Sequence, residues 1–169
     1  TQVERLFIAD RTSLMHDLFR ITATVSSTSA ANPTTITANL ERADDTQAGH
    51  LGTGMSESSG IFTFPSTGIY KITANAQFLR NNAEILYAGV YIFATGDNFS
   101  SEDYLASSFG YINNTASAYQ NVVTHAVYDV TDVTNNKVKF KYQSNPGFYM
   151  TADTGANATF FLFQKLGDT

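Results

Sequence analysis

The sequence contains neither cysteine nor tryptophan, and only 15% of its 169 residues are charged. The lack of cysteine argues against a small secreted module held together by disulfides. Charged residues usually make up about 25% of a globular chain, so Thr, Ser and Asn must supply much of the polar surface here. The length fits one domain, which can bury about 68–70% of the surface that its unfolded chain would expose.

Basic residues are scarce as well, with ten Lys and Arg against fifteen Asp and Glu and a net charge of −5. Nucleic acid is therefore not expected as a partner, since phosphate binding needs a basic patch. Lys137, Lys139 and Lys141 alternate along one predicted strand and are interpreted as a solvated face. No window of 18 apolar residues predicts a membrane span. The first residues, TQVERLFIADRTS, do not resemble a signal peptide, so we expect synthesis in a cytoplasm.

Alternation with a period of two is the main pattern that the sequence does contain. In residues 70–78, YKITANAQF, apolar and polar side chains fall on opposite faces, which is typical of a half-buried antiparallel strand. Residues 85–93 and 158–163 are apolar on both faces, so each needs a second layer or another subunit as cover. Turn signals separate about eight to ten short strands, which predicts an all-β sandwich or jelly roll.

Residues 59–72, SGIFTFPSTGIYKI, combine proline and glycine with an aromatic run. Their spacing resembles the signature of C1q and tumour-necrosis-factor-like jelly rolls at Gly60, Phe62, Pro65, Gly68 and Tyr70. The family more often has Phe-x-Ala-Pro where this chain has Phe-Thr-Phe-Pro. Residues 127–140 and 158–163 resemble two later strand motifs of the family, without its usual glycines. The resemblance covers about residues 18–166 and implies an antiparallel C1q/TNF-like jelly-roll sandwich.

The same resemblance implies a tight homotrimer, because proteins with this type of jelly roll assemble in that way. The strands that are apolar on both faces agree with it, since a trimer axis needs a second apolar surface. The residues expected at the interface are Tyr87, Tyr91, Phe93, Val123, His125, Phe161 and Phe163. The alternative is that the aromatic members of this set fill one large core.

The chain is also similar to small jelly-roll proteins of marine tailed bacteriophages. Residues 21–25, 39–44 and 51–60 and the final LGDT carry this similarity. It implies a virion component assembled in the host cytoplasm, as a capsid decoration, a head fibre or a fibre tip, with capsid or fibre proteins as partners. The alternative is a recognition head for host-surface glycans or proteins, which would use residues 104–114 and 148–151 as binding loops.

Residues 1–17 are predicted to form an N-terminal arm ahead of the jelly-roll domain of residues 18–169. Within the arm, Val3, Leu6, Phe7 and Ile8 would dock onto a partner or a neighbouring protomer. The alternative is a plain first strand. Residues 14–19 have the spacing of a short capped helix, but the preferred interpretation of residues 18–25 is a first long strand.

No catalytic constellation is recognisable, so we expect neither an enzyme nor a cofactor. The three histidines stand in no zinc-binding pattern, and neither a nucleophile elbow nor a phosphate loop occurs. Asp97, Glu102 and Asp103 could hold a hard cation such as Ca²⁺, but a solvated acidic loop is the preferred interpretation. A glycosidase would need two carboxylates facing each other across a cleft, and no spacing in the sequence indicates such a pair.

Overall fold

The computed structural model describes residues 14–44, 50–145 and 147–169. All the regular structure in these ranges is strand. In chain order, the strands are β1 Met15–Ile21, β2 Val25–Ser27, β3 Ala31–Thr35, β4 Leu40–Arg42, β5 Ser56–Ser58, β6 Ile61–Thr63, β7 Gly68–Arg80, β8 Ile85–Thr95, β9 Asp103–Ile112, β10 Tyr119–Val130, β11 Lys137–Asn145, β12 Phe148–Met150 and β13 Phe160–Gly167.

The predicted all-β antiparallel sandwich is confirmed. Eight of the thirteen strands have five or more residues, and the other five have three residues each. The predicted eight to ten strands correspond to the longer set, because three-residue strands leave too short a pattern to recognise. Among the described residues, no helix could cross a membrane.

Two antiparallel sheets form the two layers. Sheet A has the order β2-β12-β7-β13-β1-β4, with β10 also paired to β7. Sheet B has the order β5-β6-β11-β8-β9, with β3 also paired to β11. β7 organises sheet A, because β10 pairs with it over twelve positions while β13 and β12 pair with it in succession. The long edge strands β9 and β10 therefore belong to different sheets.

The glycines of the opening motif serve turns and close contacts. Ser59 and Gly60 have φ values of 52° and 82° and join β5 to β6 through two residues, as in a type I′ hairpin. A Cβ on Gly60 would lie 2.1 Å from the carbonyl oxygen of Ile36. Gly68 begins β7 with φ 141°, and its Cβ would lie 2.6 Å from the carbonyl oxygen of Gly167. Both positions therefore require glycine for shape as well as space.

Aromatic rings from both sheets fill the centre of the sandwich. Phe161 and Phe163 of sheet A meet Phe62 and Phe140 of sheet B, and all four side chains are buried. The rings of Phe140 and Phe161 stack with centroids 4.0 Å apart, and Phe62 lies 5.1 Å from Phe163. Such pairs contribute about 0.5–1.5 kcal/mol each beyond the burial of their area. Phe161 and Phe163 therefore hold the two layers together.

One ion pair lies at the border of this core. Asp17 of β1 is fully buried and accepts hydrogen bonds from Arg42 at 2.8 Å and 3.0 Å. It also accepts the backbone N–H of Met55 at 2.7 Å. The carboxylate therefore ties β1 to β4 and to the segment that leads into β5.

Candidate interaction surfaces

Exposed large hydrophobic side chains concentrate on the two edge strands β9 and β10. Among the described residues there are ten such side chains, and six of them are on these strands: Tyr104, Phe109, Tyr111, Tyr119, Val123 and Val127. The strands meet at Gly110, where a Cβ would lie 2.5 Å from the side chain of Gln120. An apolar zone thus runs along one edge of the sandwich, continuing onto both outer faces. Such patches on a protein surface mark interaction sites.

The first surface is the outer face of sheet A, on the side away from sheet B. Val123 and Val127 of β10 point outwards there and are 52% and 61% exposed. His125 lies between them, opposite Thr73 of β7, and Thr73 is followed across the sheet by Leu162 of β13. We call these five residues the sheet A surface.

The second surface is the outer face of sheet B. Its aromatic members are Tyr87, Tyr91 and Phe93 of β8 with Tyr104 and Phe109 of β9. Their ring centroids are 5.3–6.2 Å apart in a continuous chain of contacts. Tyr104 and Phe109 are the most accessible, at 56% and 46% exposure. We call these five residues the aromatic surface.

A glycine in β8 makes room for one of these rings. Gly89 lies opposite Phe109 in the register of β8 and β9. A Cβ on Gly89 would be 2.4 Å from the Phe109 ring and 2.7 Å from the carbonyl oxygen of Ser108. Phe109 therefore lies directly on the backbone of β8, where it contacts Tyr87 on one side and Tyr91 on the other.

Two lysines of β11 border the aromatic surface. The ammonium groups of Lys139 and Lys141 lie 4.2 Å from the ring centroids of Phe99 and Phe93, respectively. Both lysines also pair with Glu102. Their hydrogen bonds and positive charges lower the pKa of that carboxyl. The interpretation of these lysines as a solvated face is wrong, because their side chains are only 16% and 13% exposed.

The seven residues expected at one trimer interface lie in three different places. Tyr87, Tyr91 and Phe93 are on the aromatic surface, while Val123 and His125 are on the sheet A surface across the sandwich. Phe161 and Phe163 are fully buried in the core, so the structure removes their side chains from the expected interface. The reason is the parity of β13, in which residues 161 and 163 point inwards.

Five residues of these surfaces were not among those expected at the interface: Thr73, Val127 and Leu162 of the sheet A surface, and Tyr104 and Phe109, which were expected in a binding loop instead. Val127 has the same two-residue spacing as Val123 and His125, and that spacing could have identified it. Tyr104 and Phe109 were harder to assign, because a register shift between Ile92 and Phe93 interrupts the alternation of β9 against β8.

Two of the three carboxylates in the acidic segment of residues 97–103 are held by other side chains. Asp97 accepts hydrogen bonds from the Thr95 hydroxyl at 2.6 Å and from the Ser101 hydroxyl at 2.7 Å. These bonds, with the backbone N–H of Ser101, lower its pKa to about 2. Glu102 is held by the two lysines, and Asp103 begins β9. In the described ranges, no three His, Asp or Glu side chains are grouped as metal ligands would be.

The structure describes the segments predicted as binding loops and the last residues of the predicted arm. Residues 103–112 form strand β9 rather than a loop, and residues 148–150 form β12, in which Phe148 and Met150 are buried. β1 begins at Met15, so residues 15–17 of the predicted arm belong to sheet A, and the alternative of a helix over residues 14–19 is wrong. Val3, Leu6, Phe7 and Ile8 lie outside the described residues.

No family model and no curated protein matches this chain. Solved structures do match it over nearly its whole length. The crystal structure of murine APRIL at pH 5.0 has a TM-score of 0.65 and 15% identity, and the match covers 90% of this chain and 99% of that chain. Eiger TNF from S. frugiperda has a TM-score of 0.65 and 13% identity, covering 93% and 95%. The fold of this chain is therefore a tumour-necrosis-factor-like jelly roll.

Proposed function

We propose that this chain is a non-enzymatic structural protein of a tailed-bacteriophage virion, which forms a homotrimer that decorates the capsid or heads a fibre. The observation that carries the proposal is the exposed row of Val123, His125 and Val127 on the outer face of sheet A, in which both valines are large exposed hydrophobic residues. Placement in a virion is supported by the resemblance of residues 21–25, 39–44 and 51–60 to phage jelly-roll proteins.

The position of the row favours a ring of identical copies. A ring needs two different surfaces on each protomer, one of which fits the other on the next copy. Among the described residues β10 pairs with β7, and the opposite edge of β10, which carries Tyr119, adjoins the sheet A surface. The edge of one protomer can therefore cover the outer face of its neighbour while its own face receives the next edge. An obligate interface of this kind buries roughly 2,000–5,000 Å² in total.

The solution mass tests the assembly. Light scattering of the purified protein is expected to give three times the 18.4 kDa of one chain. Val127→Asp places a charge in the expected interface and should give a folded monomer, because an unpaired charge in a dry interface is strongly unfavourable. Leu86→Asp is the matched control, since Leu86 is a similarly exposed hydrophobic residue outside β9 and β10. A wild-type monomer, or a Val127→Asp trimer, would contradict this interface.

Attachment to the virion requires its own test. The purified protein should co-sediment with tailed-phage capsids that lack it, and an antibody should label intact virions. A chain that begins at Leu14 keeps all of β1 and tests the docking role of the preceding residues. It is expected to remain a trimer in light scattering and to lose co-sedimentation with the capsids. Failure of the full chain to bind any capsid would remove the structural role while leaving the assembly untouched.

The aromatic surface favours a second candidate function, a recognition head at a fibre tip that binds the host surface. Half-exposed rings with hydroxyl groups at their edges suit stacking and hydrogen bonding on sugars. Binding of the isolated protein to host cells, without binding to capsids, would favour this function over the first.

A further inference from the structure

We propose that the aromatic surface, together with Lys139 and Lys141, binds an acidic saccharide. In this arrangement a sugar ring stacks on Tyr104 and Phe109, and a sugar carboxylate pairs with the two ammonium groups. The inference extends the recognition role by naming the chemical class of its ligand. All the residues involved belong to one protomer, so the site does not depend on the trimer.

The rings provide a suitable stacking platform. Tyr104 and Phe109 are about half exposed, while Tyr91 contacts both of them, at 5.7 Å and 5.3 Å between centroids. A sugar ring presents an apolar C–H face that can cover such aromatic carbons. Gly89 contributes by letting Phe109 lie against the backbone, which keeps this part of the surface low.

Polar atoms border the rings where sugar hydroxyls would lie. The hydroxyl of Tyr91 donates a hydrogen bond to the side-chain oxygen of Gln143, and the hydroxyls of Tyr104 and Ser107 are bonded to each other. These bonds fix the orientation of the tyrosine rings. Each oxygen keeps acceptor capacity for a ligand hydroxyl. The surface therefore combines apolar ring faces with fixed polar edges. A saccharide has the matching combination of apolar C–H faces and hydroxyl groups.

Charge complementarity points to an acidic saccharide rather than a neutral one. Lys137, Lys139 and Lys141 follow one another at alternate positions of β11, and the carboxylate that pairs with the last two is Glu102. The three cations thus outnumber this anion, on a chain whose net charge is −5. A ligand carboxylate would therefore be attracted to Lys139 and Lys141, where two ammonium groups share the single carboxylate of Glu102.

Glu102 offers a way for the ligand to enter. It lies in the segment before β9, its side chain is 35% exposed, and it holds both lysines in place. A ligand carboxylate can take its position between the same two ammonium groups. Glu102 can then turn to solvent, and both ammonium groups remain paired because the ligand carboxylate has replaced it.

The location is compatible with the proposed trimer. The sheet A surface and the aromatic surface are on opposite outer faces of the sandwich. A protomer can therefore use the sheet A surface and the adjoining edge of β10 for assembly, and the aromatic surface for binding. The Val127→Asp variant should bind the ligand as tightly as the wild-type protein does, whether it is a monomer or a trimer.

The test compares three probes of similar length by titration calorimetry. Hexagalacturonate carries both rings and carboxylates, maltohexaose carries rings alone, and hexaglutamate carries carboxylates alone. We expect hexagalacturonate to bind about tenfold more tightly than either of the others. Equal binding of maltohexaose would overturn the acidic preference, equal binding of hexaglutamate would overturn the saccharide, and no binding of hexagalacturonate would overturn the site.

Variants assign the binding to these residues. Tyr104→Ala should weaken hexagalacturonate binding about tenfold, while Tyr111→Ala, on the same strand but outside the ring contacts, should leave it unchanged. Lys141→Gln should remove most of the preference for hexagalacturonate over maltohexaose, and Lys71→Gln, on the other sheet, should not. Unaltered binding by both Tyr104→Ala and Lys141→Gln would overturn the proposal. If host cells bind the protein but hexagalacturonate does not, the recognition role stands and this ligand class falls.

Discussion

At the scale of single residues, the buried Asp17 makes the most consequential polar contacts. Asp17→Asn removes the charge that Arg42 faces, and a broken buried pair typically costs about 3–5 kcal/mol of unfolding free energy. Because the Arg42 side chain is 36% exposed and can still reach water, we expect a loss of about 3 kcal/mol. Urea unfolding at a fixed protein concentration measures it. Glu84→Gln is the control, since Glu84 and its hydrogen-bond partner Tyr111 are both exposed, and an exposed substitution of this kind should change the unfolding free energy by about 0.5 kcal/mol or less.

Asp97 gives a residue-scale prediction for pH. Its pKa in the folded protein is about 2, against an ordinary value of 3.8. The unfolded chain therefore takes up the proton first as the pH falls. The stability contributed by ionised Asp97 is fully present above pH 4 and is lost as the pH falls towards 2. Asp97→Asn should be less stable than wild type at pH 7, and the difference should shrink below pH 4. Unfolding at several pH values checks this, and a constant difference would contradict it.

At the scale of elements, the β5–β6 hairpin depends on Gly60. Gly60→Ala must adopt a φ of 82° and bring its Cβ to 2.1 Å from the Ile36 carbonyl oxygen. Strain of this kind costs about 1–3 kcal/mol, and we expect a loss of at least that size in urea unfolding. Ser59→Asn is the matched control, because asparagine tolerates a positive φ at the first turn position. Its stability should equal or slightly exceed that of the wild type. A harmless Gly60→Ala would show that the turn readily adopts another form.

At the scale of the whole molecule, apolar side chains of β13 and β10 have different surroundings: Phe161 is buried between the sheets, and Val127 is exposed on the outer face of sheet A. Phe161→Asp puts a charge between the sheets and should prevent folding, whereas Val127→Asp puts one on the outer face and should leave the fold intact. Near-ultraviolet circular dichroism and light scattering distinguish these results. A Phe161→Asp protein that is folded but monomeric would contradict the burial of this ring and return Phe161 to the interface.

The candidate surfaces could be predicted only in part. Alternation identified Val123 and His125 as a pair on one face, because they are two positions apart on a predicted strand. It could not indicate which side of β8 faces the core, since Val90 and Tyr91 are both apolar. Nor could it place Lys139 beside Glu102, since 37 residues and two strands separate them. Such pairings depend on the path of the chain between the strands.

Short-range patterns were enough to predict the class of fold and its turns, because strand alternation and the positive φ that favours glycine at Gly60 are local properties. Which apolar face of each strand is buried, and which is exposed, depended on the tertiary structure. The side chains of Phe161 and Phe163 point into the core, whereas Val123 and Tyr91 lie on opposite outer faces. A side chain is buried or exposed according to which sheet its strand joins and which face of that sheet packs against the other sheet. Residues distant in sequence fix both.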